Sequence, residues 1–186
     1  ISALAAGTVG FDAYSGRIGL LGPSIDIVST KTGRIIRVPA GGNVQAAIDQ
    51  ATSGDIVELQ AGATYFGEIR LPTKPLTDFV TIRSSAADKF PEEERVGPAA
   101  AVLMPKILAR GAGRSAITAE NGAHHYRFVG IEFTATGDDY VYNLILFGNG
   151  EAGDKVPHDI EIDRCYLHPG KTGVVRRGIA LNSAIT

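Results

Sequence analysis

Side chains that could do chemistry are concentrated in two short segments, TATGDDYVYN at residues 134–143 and HPGKTGVVRR at residues 168–177. Adjacent carboxylates can share a Ca²⁺ ion, although calcium needs several oxygen ligands. Arginine guanidinium groups pair with anionic groups. We expect a site here, with Ca²⁺ at Asp138 and Asp139 as the one candidate cofactor. The densest group of functional side chains in the sequence is Asp138, Asp139, Tyr140, Tyr142, His168, Lys171, Arg176 and Arg177.

These residues also have structural interpretations. Asp138 and Asp139 follow Gly137, as in an ordinary solvated turn. Successive residues of a strand point to opposite faces, so only one of Arg176 and Arg177 can enter a groove. The other arginine would then form a structural ion pair.

Histidines and one charged corner offer further candidates. His124 and His125 open a predicted strand, and a metal site there would need ligands that the sequence does not identify, so a turn and strand start is the alternative. His158 is assigned to a loop. Asp163 and Arg164 are expected to form a structural clasp at a bend, with an acid and base pair between Asp163 and His168 as the alternative.

A repeat in the sequence predicts the elements that position these residues. The stretches YRFVGIEF (126–133) and IEIDRCYL (160–167) share an in, out, in pattern on both sides of a two-residue skip. Two segments repeating in the same order predict stacked coils of three short strands, which is an all-β parallel β-helix. The predicted pairs are Tyr126 with Ile160, Phe128 with Ile162, Ile131 with Cys165, Phe133 with Leu167, Ile82 with Phe128, and, at an offset of 35, Leu144 with Ile179 and Leu146 with Leu181.

One amphipathic helix precedes the strands. Asn43 is a suitable N-cap, and Gly54 is placed to end the helix. We therefore expect a capping helix at 43–53 within a β-helix domain at 43–186, which also carries an inserted loop or short helical excursion at 86–105. Residues 1–42 are expected to form an arm or edge strands, with β-like runs at 25–29 and 34–38. The apolar stripe of the helix consists of Val44, Ala47, Ile48 and Ala51.

Composition excludes several classes of function. The chain has 186 residues and a net charge of −2, without a basic stripe or interleaved basic and aromatic residues, so nucleic acid is not an expected partner. No apolar run approaches the roughly 18 residues of a membrane span. The single cysteine, Cys165, is expected to be a buried and unreactive thiol.

The segment VPAGGNVQAAIDQATSGDIVELQAGATYFGEIRLP, at residues 38–72, resembles the opening of right-handed parallel β-helix proteins of the pectate lyase-like superfamily. The stretches GAHHYRFVGIEF, PHDIEIDRCYLHPG and RRGIALNS are similar to a group of secreted bacterial β-helix proteins. The resemblance covers residues 38–186. It implies secretion, and it implies a substrate groove on one sheet between the flanking loops.

The resemblance further implies a carbohydrate-active protein, with a lyase acting on an acidic or plant-type polysaccharide as the leading hypothesis. Arg176, Arg177, His168 and Lys171 would be catalytic, and Tyr140, Tyr142 and Asn182 would bind substrate. A hydrolase is disfavoured because Pro169 follows His168, where related hydrolases have glycine. The alternative is a non-catalytic extracellular adhesin, fibre or polysaccharide-binding module. Because LNSAIT ends in register, we expect further coils or end-to-end self-association to cover that edge.

Overall fold

The structure is a computed structural model that describes residues 9–11, 18–20, 33–92, 95–111 and 113–183. The chain divides into two compact units, residues 1–31 and 32–186. In the first unit, strands β1 (Val9–Phe11) and β2 (Ile18–Leu20) pair antiparallel. The predicted run at residues 25–29 lies outside the described residues.

The second unit consists mainly of short strands. Among the described residues, its one α-helix is α1 (Val44–Gln50). In chain order the strands are β3 (Ile35–Val38), β4 (Ile56–Leu59), β5 (Thr64–Phe66), β6 (Ile69–Leu71), β7 (Val80–Ser84), β8 (Lys106–Ala109), β9 (Ile117–Ala119), β10 (His124–Val129), β11 (Glu132–Ala135), β12 (Tyr140–Phe147), β13 (His158–Asp163), β14 (Tyr166–Leu167) and β15 (Val174–Leu181). The β-run predicted at residues 34–38 is confirmed as β3.

These strands form three parallel sheets. Sheet I has the order β13-β10-β7-β4-β3, sheet II the order β14-β11-β8-β5, and sheet III the order β15-β12-β9-β6. From β4 onward the chain visits sheets I, II and III in turn, four times over. Each strand from β7 onward therefore pairs with the strand one circuit earlier, and the all-β prediction is confirmed.

The register confirms the repeat and corrects one part of it. Tyr126 pairs with Ile160 and Phe133 with Leu167, as predicted. The offset of 35 for sheet III is wrong, because Ile145 is the residue that pairs with Ile179, at an offset of 34. The error arose in NLILF, where adjacent apolar residues do not reveal which of them faces inward. The remaining predicted pairs that the register confirms are Phe128 with Ile162 and Ile82 with Phe128.

The core lies between the three sheets and is built from ladders of like residues. Ile69, Ile117, Ile145 and Ile179 follow one another across sheet III. The first three are at most 2% exposed, whereas Ile179 on the outermost strand is 43% exposed. We call one circuit through the three sheets a coil. Each coil buries the apolar side chains of the next, whereas the apolar side chains of β13–β15, at the free edge, are partly exposed.

The predicted helix is confirmed as α1, and it is shorter than expected. Asn43 accepts a hydrogen bond from the Ala46 backbone N–H at 3.0 Å, which caps the first turn. At the other end, the Lys74 ammonium group donates to the carbonyl oxygens of Ile48, Asp49 and Ala51, each at 2.7 Å. Lys74 thus caps the last turn, and the helix ends at Gln50 before it reaches Gly54. Helix α1 packs against β3, β4 and β6.

The predicted insertion at 86–105 is confirmed as an excursion between β7 and β8. It contains two short 3₁₀ helices, Ala87–Lys89 and Pro98–Leu103. Phe90 lies against the backbone of Gly130, where an added Cβ would come within 2.3 Å of the Phe90 ring. Gly130 also has a φ of 65°, which favours glycine. Within the described residues, we find no helix that is both long enough and apolar enough to span a membrane.

Candidate functional site

The structure brings part of the predicted site together on sheet III. Tyr140 and Tyr142 lie on β12 and are 45% and 43% exposed. Their rings form a T-shaped pair with centroids 5.2 Å apart. Val174 pairs with Tyr140 on the neighbouring strand β15, and the same register aligns Arg176 with Tyr142. We call Tyr140, Tyr142, Val174 and Arg176 the aromatic–arginine patch.

The lengths of the strands place this patch at the surface. β12 and β15 each have eight residues, whereas β9 and β6 have three. Only Ile145, Leu146 and Phe147 of β12 pair with β9. The first halves of β12 and β15 therefore extend together past the neighbouring strands of sheet III, and their outward side chains are left exposed.

Glycines allow the two loops that lead into these strands to stack closely. A Cβ added at Gly170 would lie 2.3 Å from the carbonyl oxygen of Gly137, and one added at Gly173 would lie 2.7 Å from that of Asp139. Both separations are shorter than a carbon and an oxygen can approach. The bare backbone at Gly170 and Gly173 is thus what permits the contact between the loops.

Asp139 holds the first of these loops in place. Its carboxylate accepts hydrogen bonds from the Thr136 hydroxyl at 2.5 Å and from the Gly111 backbone N–H at 3.0 Å. Asp138 is exposed. No three His, Cys, Asp or Glu side chains surround a common point for a metal ion in the part of the chain that the structure describes. Calcium binding at Asp138 and Asp139 stays a prediction.

The other predicted residues near sheet III are exposed and lie outside the aromatic–arginine patch as defined. Arg177 pairs in register with Asn143 and points to the opposite face from Arg176. Lys171 is exposed in the loop that leads into β15. Asn182 follows β15, where its backbone N–H donates to the Phe147 carbonyl oxygen at 2.8 Å and its side chain is exposed.

His168 makes its contacts on the outer face of sheet II. Its Nε2 lies 2.9 Å from a carboxylate oxygen of Glu132, and its Nδ1 lies 2.6 Å from the Pro169 carbonyl oxygen. Its ring also stacks on Tyr166, with centroids 4.5 Å apart. Both ring nitrogens are thus engaged within the protein. The catalytic role predicted for His168 stays a prediction, and its contacts do not include the aromatic–arginine patch.

Glu132 is a buried charge that the sequence did not reveal. It is 4% exposed, although it lies on the outward side of β11. One carboxylate oxygen accepts from His168, and the other pairs with the Lys106 ammonium group. We call Glu132, Lys106 and His168 the sheet II triad. In the sequence, Glu132 is a glutamate between two core residues in IEF. Any outward-facing strand position has this pattern, so nothing in the sequence indicates that Glu132 is buried.

The corner clasp predicted at Asp163 and Arg164 is confirmed. The Asp163 carboxylate pairs with Arg164 at 2.9 Å and with Arg127 at 3.0 Å, and Arg164 also donates to the Phe90 carbonyl oxygen at 3.1 Å. Burial raises the pKa of Asp163, but the hydrogen bonds and positive charges of the two arginines outweigh it and lower the pKa overall. The alternative pair of Asp163 with His168 does not form.

A cavity of about 830 Å³ adjoins this corner. It opens at the free edge of the last coil, between β13–β14 and the excursion before β8. Half-buried Cys165 lies in its wall, and burial raises the pKa of this thiol to about 12. The thiol is therefore protonated near neutral pH, as expected for an unreactive cysteine.

A second cluster joins the starts of β10 and β13. His158 is the first residue of β13, so its predicted place in a loop is wrong. It stacks on His124, with parallel rings 4.9 Å apart, and Asp159 and His125 lie beside the pair. Burial, together with the neighbouring histidines, lowers the pKa of His124. We call His124, His125, His158 and Asp159 the histidine cluster.

Comparisons with known proteins find no matching family model, no matching curated protein and no matching solved structure.

Proposed function

We propose that the three sheets form a right-handed parallel β-helix of the kind found in the pectate lyase-like superfamily. Two features support this proposal. The chain visits the sheets in the same order in every circuit, and the last two circuits keep an offset of 34 residues on all three sheets. Such a stack presents rows of outward side chains that repeat from coil to coil, and a linear polymer could lie across them.

We propose that the chain binds an acidic or plant-type polysaccharide outside the cell. The observation that carries this proposal is the aromatic–arginine patch. The exposed rings of Tyr140 and Tyr142 offer apolar faces on which a sugar ring can stack, and both tyrosine hydroxyls can form hydrogen bonds. Beside them, the Arg176 guanidinium group can hold a uronate carboxylate through two parallel hydrogen bonds.

We further propose that this binding serves a lyase-like elimination. Arg176 would neutralise the uronate carboxylate, and the neutral amine of Lys171 would take the proton from the adjacent carbon. The electron pair left behind would form a carbon–carbon double bond as the glycosidic carbon–oxygen bond breaks, and the leaving oxygen would take up a proton from solvent water. Ca²⁺ held in part by Asp138 would supply further charge neutralisation at the carboxylate.

The second candidate is a non-catalytic extracellular module that associates through its free edge. The specific observation behind it is the apolar surface of β15, where Leu181 is 76% exposed and Val174 is 53% exposed. No described strand pairs with the outer edges of β13, β14 and β15. An unpaired edge of this kind can accept strands from another chain. In this proposal the patch binds sugar without cleaving it.

One experiment separates the candidates. The protein is incubated with a panel of uronate polysaccharides, with and without calcium, and the ultraviolet absorbance of unsaturated chain ends is followed. Retention of the protein in gels containing the same polysaccharides measures binding. Rising absorbance supports the lyase, whereas retention with flat absorbance supports the binding module. If neither is seen for any polysaccharide, the proposed carbohydrate function is wrong.

Matched arginine variants test whether the patch is the binding surface. Arg176→Ala should weaken retention about tenfold, which corresponds to the loss of one charge-assisted contact. Arg177→Ala is the control, because Arg177 is also exposed on the same strand but points to the opposite face. Equal losses in the two variants would show that binding depends on overall charge, and the patch would lose its assignment.

A further inference from the structure

The histidine cluster gathers potential metal ligands from two successive coils. His124 and His158 are partners in the register of sheet I. The residues that follow them, His125 and Asp159, are likewise one coil apart. Three of the four histidines in the sequence therefore meet at one corner, together with a carboxylate. This cluster is independent of the proposed polysaccharide site.

The donor atoms lie near one another in a row, although they do not surround a common point in the structure. Nδ1 of His124 lies 2.7 Å from Nδ1 of His125, which lies 3.9 Å from the Asp159 carboxylate. That carboxylate lies 2.8 Å from Nδ1 of His158. In a tetrahedral site, nitrogen and oxygen ligands about 2.0–2.2 Å from a zinc ion are about 3.3–3.6 Å apart. These three separations differ from that spacing by less than about 1 Å, so the four side chains lie near enough to reach one ion after rearrangement.

The backbone is held in an uncommon conformation at this corner. His125 has a φ of 58° and Asp159 a φ of 48°, although neither is glycine. Left-handed conformations at such residues are costly and concentrate at functional sites. Both residues leave the regular pairing of β10 with β13, which places their side chains beside those of His124 and His158.

Solvent has access to half of the cluster. The side chains of His158 and Asp159 are 52% and 55% exposed. His124 and His125 are half-buried. An ion arriving from solvent would therefore meet the exposed pair first, with the half-buried pair completing the coordination.

We propose that His124, His125, His158 and Asp159 bind one divalent transition metal ion, for which zinc is the best match. In the structure the donors engage one another in pairs instead of surrounding a single point. Binding replaces the hydrogen bond between His124 and His125, and it requires the parallel rings of His124 and His158 to turn so that their nitrogens converge. Three imidazoles and one carboxylate complete a tetrahedral set and leave no open position. The ion is therefore structural, and it joins the corners of two coils.

Titration with metal tests the proposal. Protein without a histidine tag is titrated with Zn²⁺ by calorimetry and with Co²⁺ by visible absorption. We expect one ion per chain and the intense visible bands of tetrahedral cobalt. His158→Ala should weaken binding by about tenfold or more, since even residues that only orient a ligand contribute that much. The variant is suitable because His158 is half exposed and its loss leaves the core intact.

The fourth histidine supplies the control. His168→Gln removes an imidazole outside the cluster and keeps a group that can donate to Glu132, so it should bind Zn²⁺ as tightly as the unaltered protein. Circular dichroism confirms that each variant is folded. The proposal is overturned if the unaltered protein binds no Zn²⁺, or if His158→Ala and His168→Gln bind it equally well.

Discussion

The outer faces of sheets II and III use charge in opposite ways. On sheet II, Glu132 is 4% exposed, and both of its oxygens are engaged by Lys106 and His168. On sheet III, Arg176 is exposed, and no acidic side chain pairs with it among the described residues. The charged groups on sheet II bind one another, whereas the Arg176 guanidinium group on sheet III is available to a ligand.

This difference separates residues that hold the fold from residues that can bind a ligand. Taking a charge out of water is costly unless a partner compensates for it, so a buried charge without its partner destabilises the folded state. An exposed guanidinium group keeps its hydration and loses little when it is removed. We therefore expect changes on sheet II to reduce stability, and changes in the aromatic–arginine patch to reduce binding alone.

The largest expected effect comes from breaking the sheet II triad. Glu132→Ala leaves the positive charge of Lys106, and of His168 when it is protonated, without a partner. It should lower the free energy of unfolding by about 3 kcal/mol, near the low end for a broken buried pair. The low end applies because the Lys106 and His168 side chains are about a third exposed. Urea denaturation measures the loss.

Glu132→Gln is the control, because the amide keeps the shape and one acceptor oxygen. It should lose clearly less stability than Glu132→Ala. A loss below about 1 kcal/mol in Glu132→Ala would mean that the network contributes no more than an ordinary hydrogen bond. The contrast between the two sheets would then be wrong.

The corner clasp should make stability depend on pH. The pKa of Asp163 is lowered in the folded state, so its contribution is present above the ordinary aspartate pKa of about 3.9. It is lost as the pH falls through the lower pKa of the folded protein. Asp163→Asn should cost about 2 kcal/mol at pH 7, typical of hydrogen bonds to a charged group. Melting temperatures between pH 7 and pH 2 measure both effects.

The unaltered protein should lose more stability than Asp163→Asn across the acidic range. Glu161→Gln is the matched control, because Glu161 pairs with the same Arg127 but its side chain is 48% exposed. Exposed pairs contribute little, so we expect a change below about 0.5 kcal/mol. Parallel acid profiles for the unaltered protein and Asp163→Asn would contradict the clasp.

Replacing the two adjacent aspartates in the loop that leads into β12 should change stability by different amounts. Asp139→Ala removes the acceptor for Thr136 and Gly111 and should cost about 1.5 kcal/mol. Asp138→Ala, at the exposed neighbouring position, should change stability by less than about 0.5 kcal/mol. Thermal unfolding with and without Ca²⁺ measures both. Equal losses would show that the loop does not depend on the Asp139 carboxylate.

The smallest effect on stability is expected in the patch itself. Tyr142→Ala removes a ring that is 43% exposed, so the free energy of unfolding should change by less than about 0.5 kcal/mol. Retention by an acidic polysaccharide should nevertheless weaken about tenfold, which corresponds to about 1.4 kcal/mol. Phe66→Ala is a control, because Phe66 is 52% exposed on sheet II. Loss of retention in both variants would show that any exposed ring binds the polymer.

Several features of the site could be predicted from the sequence because they lie within one strand or loop. The exposure of Tyr140 and Tyr142 follows from the alternation in YVYN. The opposite directions of Arg176 and Arg177 follow in the same way. The sequence did not reveal that His168 lies outside the aromatic–arginine patch, because the bend after β14 decides which sheet its side chain faces. The excursion before β8 likewise changes which residues become neighbours.

The sequence by itself determined the helix, the short strands, the insertion and the register of the last two coils on sheets I and II. Burial imposes an alternation of apolar and polar residues on each strand, and stacking repeats that alternation from coil to coil. The pairing of inward residues such as Phe128 and Ile162 can therefore be predicted from the sequence. Outward residues carry no such constraint. That Glu132 meets Lys106 and His168, 26 positions before it and 36 after it, was decided only when the coils stacked, because the lengths of the loops set which outward side chains lie side by side.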